Sequence, residues 1–235
     1  MKLSVIVPHY NEGPRLNQSI INIDSYLRKN KIDSEIVLVS DGGKDSLATP
    51  IEGVKVPIKL IKHKKNMGKG AAIRTGVFAA SGEYLLFMDA DESTKINEVM
   101  NFLKNAKPDK ILIASRHLKN STISEQQSAL RVFLGKASNL LTRILVLPGI
   151  HDTQCGFKFF SQEAGKKIFE RQTINRFAFD IEMLVIARIM GYKIKEMPIV
   201  WHDSKKSTVN YKDYLLCFKD LLIIKYNVWS RKYYD

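Results

Sequence analysis

No stretch of this sequence is apolar for long enough to cross a bilayer, which excludes a membrane-spanning helix. Cysteine is scarce: Cys155 and Cys217 stand apart without metal-ligand spacing, so a disulfide scaffold and a zinc site are excluded and free thiols in a reducing compartment are expected. Met1-Lys2 leads straight into an apolar strand, so neither a leader peptide nor an amino-terminal anchor is expected. Internal repeats and low-complexity linkers are missing, and 235 residues with 45% hydrophobic content suffice for one core, so a single domain over 1–235 is expected. Acidic residues are in deficit, 24 against 37 lysines and arginines, giving a net charge of +13. That balance favours an anionic partner: nucleotide, phosphate, nucleic acid or membrane surface. No helix-turn-helix, zinc or RNA-binding motif accompanies the scattered basic residues, so no nucleic-acid partner is expected.

What is present centres on Tyr84-Leu85-Leu86-Phe87-Met88-Asp89-Ala90-Asp91. An apolar run without alternation reads as a strand buried on both faces, the kind found inside parallel sheets, where ligands bind beyond the carboxyl ends. It ends in two carboxylates one residue apart, which face the same way in an extended chain. Like charges so placed call for a cation between them, and Mg²⁺ or Mn²⁺ carrying a diphosphate on its other side suits them.

Strands are predicted at Leu3 to Pro8, Ile36 to Val39, Ile58 to Ile61, Tyr84 to Met88 and Ile111 to Ala114, with helices over 14–29 and 71–80 between them. The alternation implies an α/β fold with a mostly parallel sheet flanked by helices. Further on, an amphipathic helix over 128–147, a loop from His151 running into a strand near Phe160, a helix over 179–190, a strand over 194–200 and a last helix over 211–229 are predicted. The segment 211–235 is basic and amphipathic.

The strand ends form one rim. There Asp41 can accept hydrogen bonds from a base or ribose, Lys69 can neutralise a phosphate, and Gly68 and Gly70 let backbone approach closely. Walker spacing is absent around Lys69, and no Gly-x-Gly-x-x-Gly follows the first strand, so neither a P-loop nor a Rossmann dehydrogenase fits. The rim suits a nucleotide diphosphate held by a metal at Asp89 and Asp91.

The strings Pro8-His9-Tyr10-Asn11-Glu12, Asp41-Gly42, Asn66-Met67-Gly68-Lys69-Gly70 and Asp89-Ala90-Asp91 resemble the family 2 glycosyltransferases of the GT-A fold. Ser115-Arg116, Asp152-Thr153-Gln154-Cys155-Gly156-Phe157-Lys158 and Phe177-Ala178-Phe179-Asp180-Ile181-Glu182 look most like the dolichyl-phosphate glucosyltransferases and, less closely, the dolichyl-phosphate mannose synthases. The resemblance runs from Leu3 to about Lys225. It implies inverting transfer of a hexose, with glucose favoured, from UDP-glucose or GDP-mannose to a polyprenyl phosphate. It also implies donor binding by Pro8, Tyr10, Asn11, Glu12, Asp41, Asn66, Gly68, Lys69, Asp89 and Ala90, and metal binding by Asp89 and Asp91. Arg116 and Arg131 match the family's acceptor-phosphate arginines, whose planar fork suits phosphate oxygens. Asp152 and Gln154 match positions near the sugar or metal shell, with a loop-capping Asp152 as the alternative. Asp180 and Glu182 read either as site residues or as charges capping a helix.

This sequence departs from the pattern in places. The family's Ser-Lys pair after the last strand has two alignments here, Ser204-Lys205 or Ser207-Thr208. Ser93, two residues after Asp91, is a poor third metal ligand. The glucosyl enzymes often carry an amino-terminal anchor that has no counterpart here, which leaves a soluble or peripheral enzyme, and even a non-lipid acceptor, open. A saccharide-hydroxyl transferase is the competing enzyme; it would need a carboxylate base, for which Asp180 is the candidate. Peripheral attachment to the cytoplasmic face of a membrane through 128–147 and 211–234 is expected, against the alternative that both helices pack on the sheet or on a second subunit in a homo-oligomer.

Overall fold

The computed structural model describes residues 2–44, 51–123, 129–202 and 211–234, with the side chains of 129–134, 136 and 211–214 outside that description. Its elements are β1 (Leu3–His9), α1 (Pro14–Lys29), β2 (Ser34–Ser40), β3 (Ile58–Lys62), α2 (Lys69–Ala79), β4 (Tyr84–Met88), α3 (Val99–Asn105), β5 (Lys110–Ser115), β6 (Thr122–Ile123), α4 (Ala129–Leu145), β7 (Phe157–Ser161), α5 (Gln162–Arg171), α6 (Phe179–Ile189), β8 (Lys193–Pro198), β9 (Val200–Trp201) and α7 (Tyr211–Trp229). Seven strands form one sheet in the order β3-β2-β1-β4-β7-β5-β8, and β6 pairs with β9 beside it.

All neighbours in the large sheet run parallel except β7, which lies antiparallel between β4 and β5. β4 is buried as its unbroken apolar run requires: Leu85, Leu86, Phe87 and Met88 have no exposed surface. Side chains alternate across it, so Leu85 and Phe87 join one core and Leu86 and Met88 the other. On the first face α2, α5, α6 and α7 contribute Ile73, Ile168, Ile181 and Leu221. On the second, α1 and α3 contribute Leu16, Ile20, Ile23, Leu27 and Phe102. The α1 residues fall at the helical spacing that one buried face needs, and Pro14 opens the helix where its missing N–H costs nothing.

The expected elements are present with ends shifted by a residue or two, and α7 spans the predicted 211–229. Helices α3 and α5 were not anticipated. The strand predicted over 194–200 is interrupted after Pro198 and resumes as β9. There Trp201 pairs with Ile123 and bridges to Thr94, which ties three loops together beside the sheet's carboxyl edge.

Candidate active site

Because β7 runs against its neighbours, its amino-terminal end meets the carboxyl ends of β4 and β5. The residues just before β7 therefore share a rim with Asp89 and Arg116. Gly156 accepts from the Asp89 backbone N–H at 3.1 Å. A Cβ at Gly156 would stand 2.0 Å from Asp89 Oδ2, so only glycine leaves room for that carboxylate.

Asp89 and Asp91 leave β4 in a turn rather than an extended chain. Asp91 accepts from Ser93 N–H at 3.0 Å, and Ala90 is buried between the two acids. Lys69, the first residue of α2, places Nζ 2.6 Å from Asp89 Oδ1. Burial raises the Asp89 carboxyl, Lys69 opposes that rise, and Asp91 and Asp180 add to it, leaving the group above its ordinary range. Burial works against the Lys69 charge, but Asp89, Asp180 and Asp91 outweigh it and raise its pKa. Among the described residues no three His, Cys, Asp or Glu side chains converge on a metal site. Two close carboxylates nonetheless fit Mg²⁺ or Mn²⁺, which bind through one or two carboxylates and complete their shell with phosphate and water.

Asp41, at the end of β2, is buried. Its Oδ1 takes Met67 N–H at 2.9 Å and its Oδ2 takes Gly68 N–H at 2.7 Å, while His63 Nδ1 lies 2.8 Å from Oδ1. Its carboxylate thus shapes the loop before Lys69. The two glycines there also serve the chain itself: a Cβ at Gly68 would meet Asn175 O at 2.4 Å, and one at Gly70 would meet Phe179 at 2.6 Å. The close approach expected of them is made to the segment leading into α6. Asn66 and Tyr10 are exposed on the rim, and Pro8 is buried in β1. Asn11 accepts from Lys44 N–H at 2.8 Å, which joins the β1 and β2 loops, and Glu12 pairs with Arg15.

Arg116, following β5, grips Asp152 through two parallel bonds, Nε to Oδ2 at 2.7 Å and Nη2 to Oδ1 at 2.9 Å, and its guanidinium lies 5.4 Å from the Trp201 ring centre. Its own N–H also reaches Oδ2 at 2.9 Å. Burial pushes the Asp152 carboxyl up, but Arg116 beside it more than offsets that and holds it below the usual range. Asp152 N–H in turn donates to Glu196 at 3.0 Å. Asp152 is therefore the brace of Arg116. Gln154 is exposed and its amide lies 3.7 Å from Cys217 Sγ on α7. Burial pushes the neighbouring Cys155 thiol up to about 12, so it stays protonated at neutral pH. Arg131 lies on α4, but its side chain is outside the described residues, as are both alignments of the Ser-Lys pair.

Asp180 stands in the first turn of α6, where a negative charge suits the helix dipole, without bonding to the helix's own N–H groups. It is buried against Lys158, which also donates to Cys155 O at 2.8 Å and lies 5.2 Å from the Phe87 ring centre. Glu182 stands in the same turn and takes Thr173 N–H, Ile174 N–H and the Tyr233 hydroxyl, the last at 2.7 Å. Lys158, Glu196 and His63 carry only faint signals in the sequence: a lysine inside Phe-Lys-Phe-Phe, an acid in a lysine-rich strand and a histidine among lysines.

The glycosyl transferase family 2 profile matches residues 4–169. The chain is 36% identical to a dolichyl-phosphate beta-glucosyltransferase of Homo sapiens, over 95% of this chain and 75% of that one. It is 34% identical to that of Saccharomyces cerevisiae, over 95% and 74%. Among solved structures it is similar to the glucosyl-3-phosphoglycerate synthase of Mycobacterium tuberculosis in complex with Mn²⁺, UDP-glucose and phosphoglyceric acid, with TM-score 0.68, 16% identity and coverage of 95% and 79%. It is also similar to a mannosyltransferase of Pyrobaculum calidifontis in complex with GDP-mannose and Mn²⁺, with TM-score 0.59, 19% identity and coverage of 97% and 64%. At such identities these two speak to the fold, which is that of GT-A glycosyltransferases.

Proposed function

The chain belongs to glycosyl transferase family 2, and we propose that it transfers glucose, with inversion, from UDP-glucose to a polyprenyl phosphate of the dolichyl kind. The observation that carries the acceptor class is the pairing of Asp180 with buried Lys158. A saccharide hydroxyl must lose its proton to react, and Asp180 is the carboxylate that would take it. Buried beneath the rim and already bonded to Lys158, it offers almost no open surface to an acceptor hydroxyl. A phosphate acceptor arrives ionised and needs none; it needs positive groups that place its oxygen in line. Arg116 fits that need, since Asp152 fixes the plane of its fork while leaving its outer N–H groups unclaimed by that pair. Arg131 is assigned the same role.

Asp89 and Asp91 would hold Mg²⁺ or Mn²⁺. Such an ion, when bound, neutralises charge on the leaving diphosphate. Lys69 adds positive charge at the same carboxylate, and the loop braced by Asp41 carries Asn66 and Gly68 to the donor side. Glucose as the sugar rests on the named relatives, whose curated names specify glucosyl transfer to dolichyl phosphate.

No helix of the described residues is long and apolar enough to cross a membrane. We assign the chain a peripheral place on the cytoplasmic face, where anionic lipid attracts a chain of net charge +13. The exposed apolar side chains of α4 and α7, among them Leu140, Ile144, Leu215 and Trp229, are the surface for it.

The test is a matrix of UDP-glucose, UDP-galactose and GDP-mannose against dolichyl phosphate and free saccharides, with Mg²⁺ or Mn²⁺ and product identification by mass. Glucosyl phosphoryl dolichol from UDP-glucose is expected. Product from GDP-mannose alone would move the chain to mannosyl transfer, and product with saccharides alone would overturn the acceptor.

A further inference from the structure

His63, just beyond β3, lies between two partners from different elements. Nδ1 is 2.8 Å from Asp41 Oδ1, and Nε2 is 2.9 Å from Thr75 Oγ1 on α2. A carboxylate only accepts, so Nδ1 carries the proton toward Asp41 and Nε2 is left to the hydroxyl, which can give or take. His63 N–H also donates to Ser40 O at 2.8 Å, so backbone and ring are both fixed at the end of β2. The same Asp41 carboxylate holds the N–H groups of Met67 and Gly68, and the next residue, Lys69, reaches Asp89.

We propose that Thr75, His63 and Asp41 form a relay of positioning residues that sets the Met67-Gly68-Lys69 backbone, and through it the place of the Lys69 ammonium on the donor side of the site. The reasoning is one of bond counting. Asp41 is buried, and without the imidazole its Oδ1 keeps one donor, Met67 N–H. A buried carboxylate short of a donor turns toward another or draws in water, and either motion pulls on the two amides it holds. Gly68 has φ of 105°, a conformation open to glycine and seldom to other residues, so its own backbone does little to fix the loop and outside bonds must. Thr75 sits in the middle of α2, the helix that Lys69 opens, so the relay also locks the start of that helix to its second turn. The bonds of His63 go to Asp41, Thr75 and Ser40, not to Lys69 or the paired carboxylates, so it acts through Asp41.

The inference rests on the donor reading above, and its test separates the two. Binding of UDP with Mn²⁺, and of GDP alongside, is measured by calorimetry on the full chain, with amide hydrogen exchange at Met67 and Gly68. Wild type is expected to bind one nucleotide; His63→Ala is expected to bind it about tenfold more weakly and to exchange both amides faster, with exchange in β4 unchanged. His63→Asn, whose amide can still donate to Asp41, should recover most of the affinity, and Thr75→Val should fall between. In turnover assays the KM for donor should rise more than kcat falls, with the KM for acceptor within twofold of wild type. Wild type that binds neither nucleotide overturns the donor reading and the relay with it. Wild type that binds while His63→Ala binds equally well, or an equal loss in His63→Asn and His63→Ala, overturns the relay alone. If His63→Ala fails to fold, His63→Asn and Thr75→Val decide between the same outcomes.

Discussion

Lys158 and Asp180 form an ion pair with almost no solvent contact, one partner on the antiparallel strand and the other in the first turn of α6. The pair sits under the rim, where Asp180 is felt by both Lys69 and Asp89. Removing one partner strands the other charge. Lys158→Met is therefore expected to cost about 3–5 kcal/mol of stability, and a double change that also replaces Asp180 by leucine should regain much of it. Urea unfolding of wild type and the two variants checks this; a Lys158→Met variant as stable as wild type would contradict the buried pair.

Asp91→Asn keeps the volume and removes one of two carboxylates. Transfer should drop by at least a hundredfold while the melting temperature stays within a few degrees, since a metal's charge stabilisation is worth several kcal/mol. The readout is initial rate with added Mn²⁺ and with EDTA. Full activity of this variant in EDTA would remove the metal from the reading.

Arg116 and Asp152 make a pH-dependent contribution. The Asp152 carboxyl is held below its ordinary value, so its stabilisation is present above about pH 4 and fades as pH falls through the lowered value. In Arg116→Ala burial is offset only by the residue-116 N–H and by His117, so the stabilisation present at neutral pH shrinks while little changes in acid, where Asp152 is protonated. Melting curves at pH 4 and pH 7 should show the variant nearer to wild type in acid. An equal deficit at both values would mean the pair contributes packing only. Transfer to polyprenyl phosphate should fall in this variant at either pH.

The outer face of α7 carries Leu215, Phe218, Leu222, Tyr226 and Trp229, spaced three or four residues apart, with Leu215 74% and Trp229 79% exposed. On vesicles with anionic lipid, the double variant Leu215→Ser, Trp229→Ser should sediment less than wild type, and salt should weaken both, since each basic residue near the surface adds about 1 kcal/mol. Recovery of wild type in the supernatant at low salt, with polyprenyl phosphate in the vesicle, would rule the attachment out. Point changes suit this test better than truncation after Lys225, which would remove Asn227 and Tyr233 and with them the phenol that donates to Glu182.

The parts of the molecule legible in the sequence were those governed by local pattern. Tyr84 to Met88 announced itself as a central strand because no alternation interrupts it, and α1 and α7 because apolar residues recur at helical spacing. Direction was not legible. Phe157–Ser161 is apolar whichever way it runs, so nothing local marks it as the one antiparallel strand of the large sheet. Partner choice was equally hidden. Asp152 and Asp180 were read as site candidates from their strings, but that they hold Arg116 and Lys158 depends on which loops the fold brings together. Gly68 and Gly70 illustrate the same limit: their lack of a side chain signalled a close approach, and only the fold tells that the neighbour is Asn175 and Phe179.

The insertion of β7 between β4 and β5 also orders the events by which the chain becomes a protein. β4 and β5 are complete by Ser115, yet they never pair with each other; each waits for a strand that leaves the ribosome some forty residues later. Until Phe157–Ser161 slots in, two apolar edges stand open side by side, with their backbone N–H and C=O groups unpaired and ready to capture a neighbouring chain. The strand that closes the gap is also the one that delivers Gly156 to Asp89 and Lys158 to Asp180. The pairing that fills the gap between β4 and β5 is thus also the one that completes the rim, and a nascent chain cut off before it would hold neither.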